Sequence, residues 1–131
     1  MSPFTLTMLD TTGIQDYVFR SNRLQENIGA SEIVYRVTTQ WAIQALDDEH
    51  LRANVHITDR ENGQWEYTNT SGIETDDSID AEVVYAGGGN TFIVFRAEKA
   101  AIAFTKRLTR RVLAEAPGLG LVVRHRPFDW D

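Results

Sequence analysis

Cysteine is absent from this chain of 131 residues, which excludes disulfides, thiolate metal sites and cysteine nucleophiles. No apolar run approaches the length needed to cross a bilayer. The start, Met1-Ser2-Pro3-Phe4, lacks the basic opening and apolar core of a signal peptide, so a cytoplasmic location is expected. Positive charge is in deficit: the formal net charge is −6, which disfavours indiscriminate, long-range attraction to nucleic acid. There is no Ser-His-Asp set, no nucleophile elbow and no Walker loop, because Gly87-Gly88-Gly89 is not followed by Lys-Ser/Thr. His50, His56 and His125 share no metal-ligand spacing. The Lys/Arg-Gly-Phe run of an RNA-recognition module is also missing, and no basic residue is interleaved with the aromatics Tyr85 and Phe92.

What is present suits one domain with a real core. Phe4 to Leu9 reads as a strand entering the turn cluster Asp10-Thr11-Thr12-Gly13. Gln15 to Phe19 suits a short helix and Ser21 to Ala30 a structured loop. Ser31 resembles an N-cap, with Glu32 in the first turn. Ile33, Val34, Val37, Trp41 and Ala45 then recur at helical spacing, so a helix is predicted over 31–47. Val55-His56-Ile57-Thr58 and Trp65-Glu66-Tyr67-Thr68 flank an Asn62-Gly63 step, a hairpin signal, giving an inserted hairpin over about 53–69. An acidic stretch over about 71–80 reads as a solvated loop without the spacing of an EF-hand. Strands over 81–86 and 91–96 surround the three glycines. Glu98 to Glu115 is a second helix with Ala101, Phe104, Leu108 and Val112 on its buried stripe, and Leu119 to Arg124 is the last strand.

With the hairpin set aside, the order is βαββαβ, an α+β, ferredoxin-like arrangement in which two helices cover one face of a four-stranded antiparallel sheet. In the last strand Leu119, Leu121 and Val123 point one way and Val122 the other, while the third strand places Phe92 and Val94 opposite Ile93 and Phe95. Both faces are therefore apolar, and a cover is expected on the face away from the helices: a second domain, a second copy or a base-stacking ligand. The ending at Phe128-Asp129-Trp130-Asp131 suits the N-terminal part of a longer protein.

Three motifs carry a resemblance. Leu9-Asp10-Thr11-Thr12-Gly13-Ile14-Gln15-Asp16-Tyr17-Val18-Phe19, Asn27-Ile28-Gly29-Ala30-Ser31 and Tyr85-Ala86-Gly87-Gly88-Gly89-Asn90 occur in that order. Together they resemble the palm domains in the large subunit of type III CRISPR effector complexes, relatives of nucleotide cyclases and polymerases. That family has two palms. One bears Gly-Gly-Asp-Asp and makes cyclic oligoadenylates from ATP; the other bears a Gly-Gly-Gly-type turn and helps frame the nucleotide site. The present turn is nearer to the second. The resemblance implies a nucleotide site lined by Asp10, Thr11, Thr12, Gly87, Gly88, Gly89 and Asn90. Asp10 would be the metal residue and magnesium a weak companion of an ATP-like nucleotide, with a second palm or a homodimer partner over the sheet.

The chemistry of the residues agrees on one point. Two-metal phosphoryl chemistry needs carboxylates holding ions about 3.5–4 Å apart, and magnesium prefers anionic oxygen ligands. Gly89 and Asn90 stand where the turn's acids would be, so no catalytic residue is assigned, and the domain is not expected to be active alone. The blander readings stand beside these. Asp10 also suits a plain turn former, Gly87 to Gly89 a plain hairpin turn, and the whole chain a structural or protein-interaction module. Lys106, Arg107, Arg110 and Arg111 suit either a solvated helix face or an RNA contact. An active cyclase would need Asp10 to recruit acids such as Asp76 or Asp77 from the loop.

Overall fold

The computed structural model describes residues 4–12, 32–68 and 72–129. The short helix over 15–19, the loop over 21–30, the Ser31 cap, most of the first motif and all of the second lie outside them. Strand β1 (Phe4–Thr12) is followed by helix α1 (32–48), then β2 (Val55–Asp59) and β3 (Gln64–Tyr67). After these come β4 (Ala81–Ala86), β5 (Asn90–Phe95), helix α2 (Glu98–Glu115) and β6 (Gly120–Phe128). The main sheet has the order β4-β5-β1-β6, every pair antiparallel. This is the ferredoxin-like order, with the inserted hairpin β2-β3 forming a separate two-stranded sheet.

The helix stripe dictates the packing. Ala101, Phe104, Leu108 and Val112 of α2 are buried, and with Val34, Val37, Trp41 and Ala45 of α1 they enclose Leu9, Ile93 and Phe95 of the sheet. Phe95 and Phe104 lie 5.4 Å apart, centroid to centroid. One departure from the expected regular helix is a π-helical turn at Val37–Trp41 inside α1. Such a turn takes carbonyls out of the i→i−4 ladder, and the Thr91 hydroxyl of β5 donates to the Thr38 carbonyl.

The predicted hairpin forms around Asp59, whose carboxylate accepts the Asn62 amide at 3.1 Å and the Asn62 side chain at 2.7 Å. Gly63 supplies the left-handed φ of +69°. Asn54 fastens the hairpin to β4 by accepting from the Val83 amide and donating to the Val83 carbonyl.

Two expectations are corrected. The last strand does not end at Arg124 but runs to Phe128, with Pro127 opposite Thr5. As an edge strand, β6 tolerates a residue that cannot donate to a further neighbour. The acidic loop is not simply solvated. Ile73 and Ile79 are buried with Val94 in a second cluster flanked by Phe4, Leu6 and Phe128, on the face away from the helices. Arg96 holds the loop down by donating to the carbonyls of Ile73, Asp76 and Ile79 at 2.9–3.0 Å. Part of the cover expected over that face is thus supplied by the chain itself.

Candidate functional site

Side chains alternate across a strand, and the register sorts the expected site residues onto two faces. Asp10 is directly opposite Asn90 on β5 and Val122 on β6. The neighbouring Thr11–Gly89 pair is hydrogen-bonded, Thr11 N–H donating to the Gly89 carbonyl at 3.0 Å. Asp10 and Asn90 are therefore a non-hydrogen-bonded pair, the class with the closer side chains, at a typical Cα separation of about 4.5 Å. Asp10, Asn90 and Thr12 share the face free of helices. Thr11 is buried on the opposite face, and its hydroxyl also donates to the Gly89 carbonyl, at 3.1 Å.

The glycine turn is closed by its own bonds. Gly87 N–H donates to the Asn90 carbonyl at 3.0 Å. Thr38, on the π turn of α1, donates its hydroxyl to the Gly87 carbonyl at 2.5 Å and accepts the Gly89 N–H at 3.0 Å. Gly89 has φ +117°, a conformation that strongly favours glycine. Gly88 is the exposed member of the three, with Tyr35 of α1 its nearest neighbour. A phosphate arriving at this turn would find the Gly87 and Gly89 amides already engaged.

Beyond the Asp10–Asn90 pair the free face descends to a second row, in which Met8 lies opposite Phe92 and Arg124. Tyr85 of β4 pairs with Phe92, their rings 6.1 Å apart. The next row places Leu6 opposite Arg126 and Val94. Asp10, Asn90, Met8, Phe92, Arg124 and Arg126 line one concavity of about 640 Å³, within the usual range for small-molecule sites. Arg124 and Arg126 are exposed and make no ion pair among the described residues. Basic residues are therefore interleaved with the aromatics after all, from β6, a strand some 30 residues later in the chain. The signal that could have found them is the period-two alternation Val122-Val123-Arg124-His125-Arg126.

The basic cluster of α2 is elsewhere, on the helix layer. Arg107 pairs with Glu49. Arg111 pairs with Glu115, donates to Gln44 Oε1 at 2.7 Å and stacks over Trp41 at 4.3 Å. Lys106 and Arg110 remain exposed beside them. Among the described residues no group of three or more His, Asp or Glu side chains is arranged to hold a metal ion. Asp76 and Asp77, the acids a cyclase would have to recruit, lie on the loop that covers the far end of the free face. The Asp76 carboxylate is occupied by the Ser78 hydroxyl and amide, which hold it below the usual carboxylate range.

No protein-family model matches the chain, and no curated protein matches it. Solved structures do. The crystal structure of Csm1 in T. onnurineus aligns with a TM-score of 0.59 at 18% identity, covering 98% of this chain and 16% of that one. The fold is that of a segment of Csm1. Csm1 is the large subunit of type III CRISPR complexes. The Csm1–Csm4 cassette aligns with the same TM-score and identity in its complexes with cA4 and with AMPPNP, over 97% of this chain and 15% of that chain. The chain thus spans about one-sixth of the Csm1 chains it resembles. Among the described residues no helix is long and apolar enough to cross a membrane.

Proposed function

We propose that this chain is a catalytically degenerate palm domain of the type III CRISPR kind that binds or frames an ATP-like nucleotide. The observation that carries the reading is the concavity on the helix-free face, where the Asp10–Asn90 pair opens onto a shelf of Met8 and Phe92. The shelf offers an apolar, aromatic floor of the kind on which a base stacks. Csm1 neighbours were crystallised with AMPPNP and with pppApA, which supports the same ligand class here. Asp10 is one anionic oxygen donor where paired magnesium ions need several, and Asn90 beside it is neutral. Magnesium is at most a weakly held companion of the nucleotide, and synthesis of a phosphodiester by this chain alone is absent or very slow. A second palm or a second copy over the sheet face would complete the site.

The test is calorimetric titration with ATP and magnesium, together with an assay for cyclic oligonucleotides. Saturable heat without product is expected. Robust product from the isolated chain would refute the degeneracy, and absence of heat at millimolar ATP would refute nucleotide binding. One observation favours a second reading, a ligand-free interaction module. The glycine turn is satisfied from within by Thr38 and Asn90, as a purely structural turn would be.

A further inference from the structure

Resting on the nucleotide reading, we infer that the phosphate end of the ligand sits on Arg124 and Arg126 of β6 and not on the glycine turn. The turn has little to offer a phosphate. Gly87 N–H is given to Asn90 and Gly89 N–H to Thr38, which leaves Gly88 as the turn residue whose amide has no acceptor among the described residues. The adjoining Asp10 carboxylate repels a phosphate. At the other end of the same concavity, Arg124 and Arg126 point to one face from alternate positions, about 7 Å apart along the strand. Neither has an ion-pair partner among the described residues, in a protein of net charge −6.

A guanidinium offers a planar fork of donors that matches phosphate oxygens. Met8 and Phe92 lie between the Asp10 row and the Arg126 row, level with Arg124. Arg126 is four residues along the strand from the Asp10 row, about 13 Å. That span accommodates a base on the shelf with its phosphates toward Arg126 and its base edge toward Asp10 and Asn90. The net negative charge disfavours a long polyanion and fits a compact one, so the occupant is a single nucleoside polyphosphate.

The test titrates the full chain with ATP, adenosine and tripolyphosphate. In the Arg124→Gln/Arg126→Gln double variant, ATP and tripolyphosphate affinities should fall about tenfold or more, with adenosine affinity unchanged. Arg124→Lys/Arg126→Lys keeps the charge but loses the forks and should retain part of the affinity. Asp10→Asn should change ATP and adenosine affinity alike in magnesium, because Asp10 faces the base edge and not the phosphates. ATP affinity unaltered in the glutamine variant would overturn this placement while leaving the nucleotide reading intact. So would a loss for ATP and adenosine alike in that variant, or a magnesium-dependent loss confined to ATP in Asp10→Asn. An oligoribonucleotide held more tightly than ATP through the same arginines would overturn the mononucleotide occupant. No binding of ATP by the unaltered chain would remove the nucleotide reading and this inference with it.

Discussion

Replacing Thr38 by valine isolates the contact that ties the glycine turn to the helix layer. Valine keeps the branched shape and creates no cavity, so the lost hydroxyl dominates. Thr38 is fully buried, and its hydroxyl serves both the Gly87 carbonyl and the Gly89 N–H. A buried polar group left without a partner costs about 1–3 kcal/mol. The buried Gly89 amide would carry a full share and the half-buried Gly87 carbonyl, which has a second lone pair, a smaller one, for a total of about 2–4 kcal/mol. A methyl group pressed on the Gly87 carbonyl adds to this. Against a domain stability of roughly 5–15 kcal/mol the effect is large, and it corresponds to a urea midpoint lower by about 1–2 M. Thr38→Ser keeps the hydroxyl and should cost only about 1 kcal/mol for one buried methyl. Urea unfolding of the three proteins, with amide exchange followed at Gly89, measures both parts. If Thr38→Val unfolds within about 0.5 kcal/mol of the parent and the Gly89 amide stays equally protected, the clamp does not hold the turn.

Gly89→Ala should destabilise by about 1–3 kcal/mol because of its φ of +117°. Gly88→Ala, whose new methyl would have Tyr35 Cδ2 as its nearest neighbour at 3.6 Å, should be nearly neutral; thermal melts compare the two. Asn90→Asp places two carboxylates opposite each other and should cost about 0.2–1 kcal/mol without metal. Magnesium should then raise its melting temperature more than that of the parent, and equal shifts would show that the pair does not bind the ion. Arg96→Ala removes three charge-assisted hydrogen bonds to the covering loop and should expose Ile73 and Ile79, read as increased binding of a hydrophobic dye. The lowered pKa of Asp76 comes first from the Ser78 hydroxyl bond. Its contribution to holding the loop is therefore present above the ordinary carboxylate pKa and is lost as pH falls through the depressed value. Ser78 amide protection should drop on acidification in the parent and be low at all pH values in Asp76→Ala.

The elements that periodicity could announce are the ones that formed. The stripe of Ala101, Phe104, Leu108 and Val112 and the Asn62-Gly63 step each encode their contacts locally, and the strand alternation correctly separated Phe92 and Val94 from Ile93 and Phe95. What stayed hidden depends on partners distant in the chain. Nothing local marks Thr38 as a clamp, because its role exists only when a π turn brings it against Gly87 and Gly89. Ile73 and Ile79 are two apolar residues in an acidic stretch, and they are buried where Arg96, distant in the chain, bonds to the loop's carbonyls. Arg124 and Arg126 gain meaning only through the register of β6 on β1, which sets them beside Met8 and Leu6.

The loop fastened by Arg96 also gives the sheet a direction of approach. A flat, fully open sheet could meet a second palm face to face in many registers. Here the end bearing Val94 and Leu6 is occupied by the chain's own Ile73 and Ile79. A partner meeting the free face therefore finds its Val94–Leu6 end already covered, and any composite assembly built on this face inherits that asymmetry.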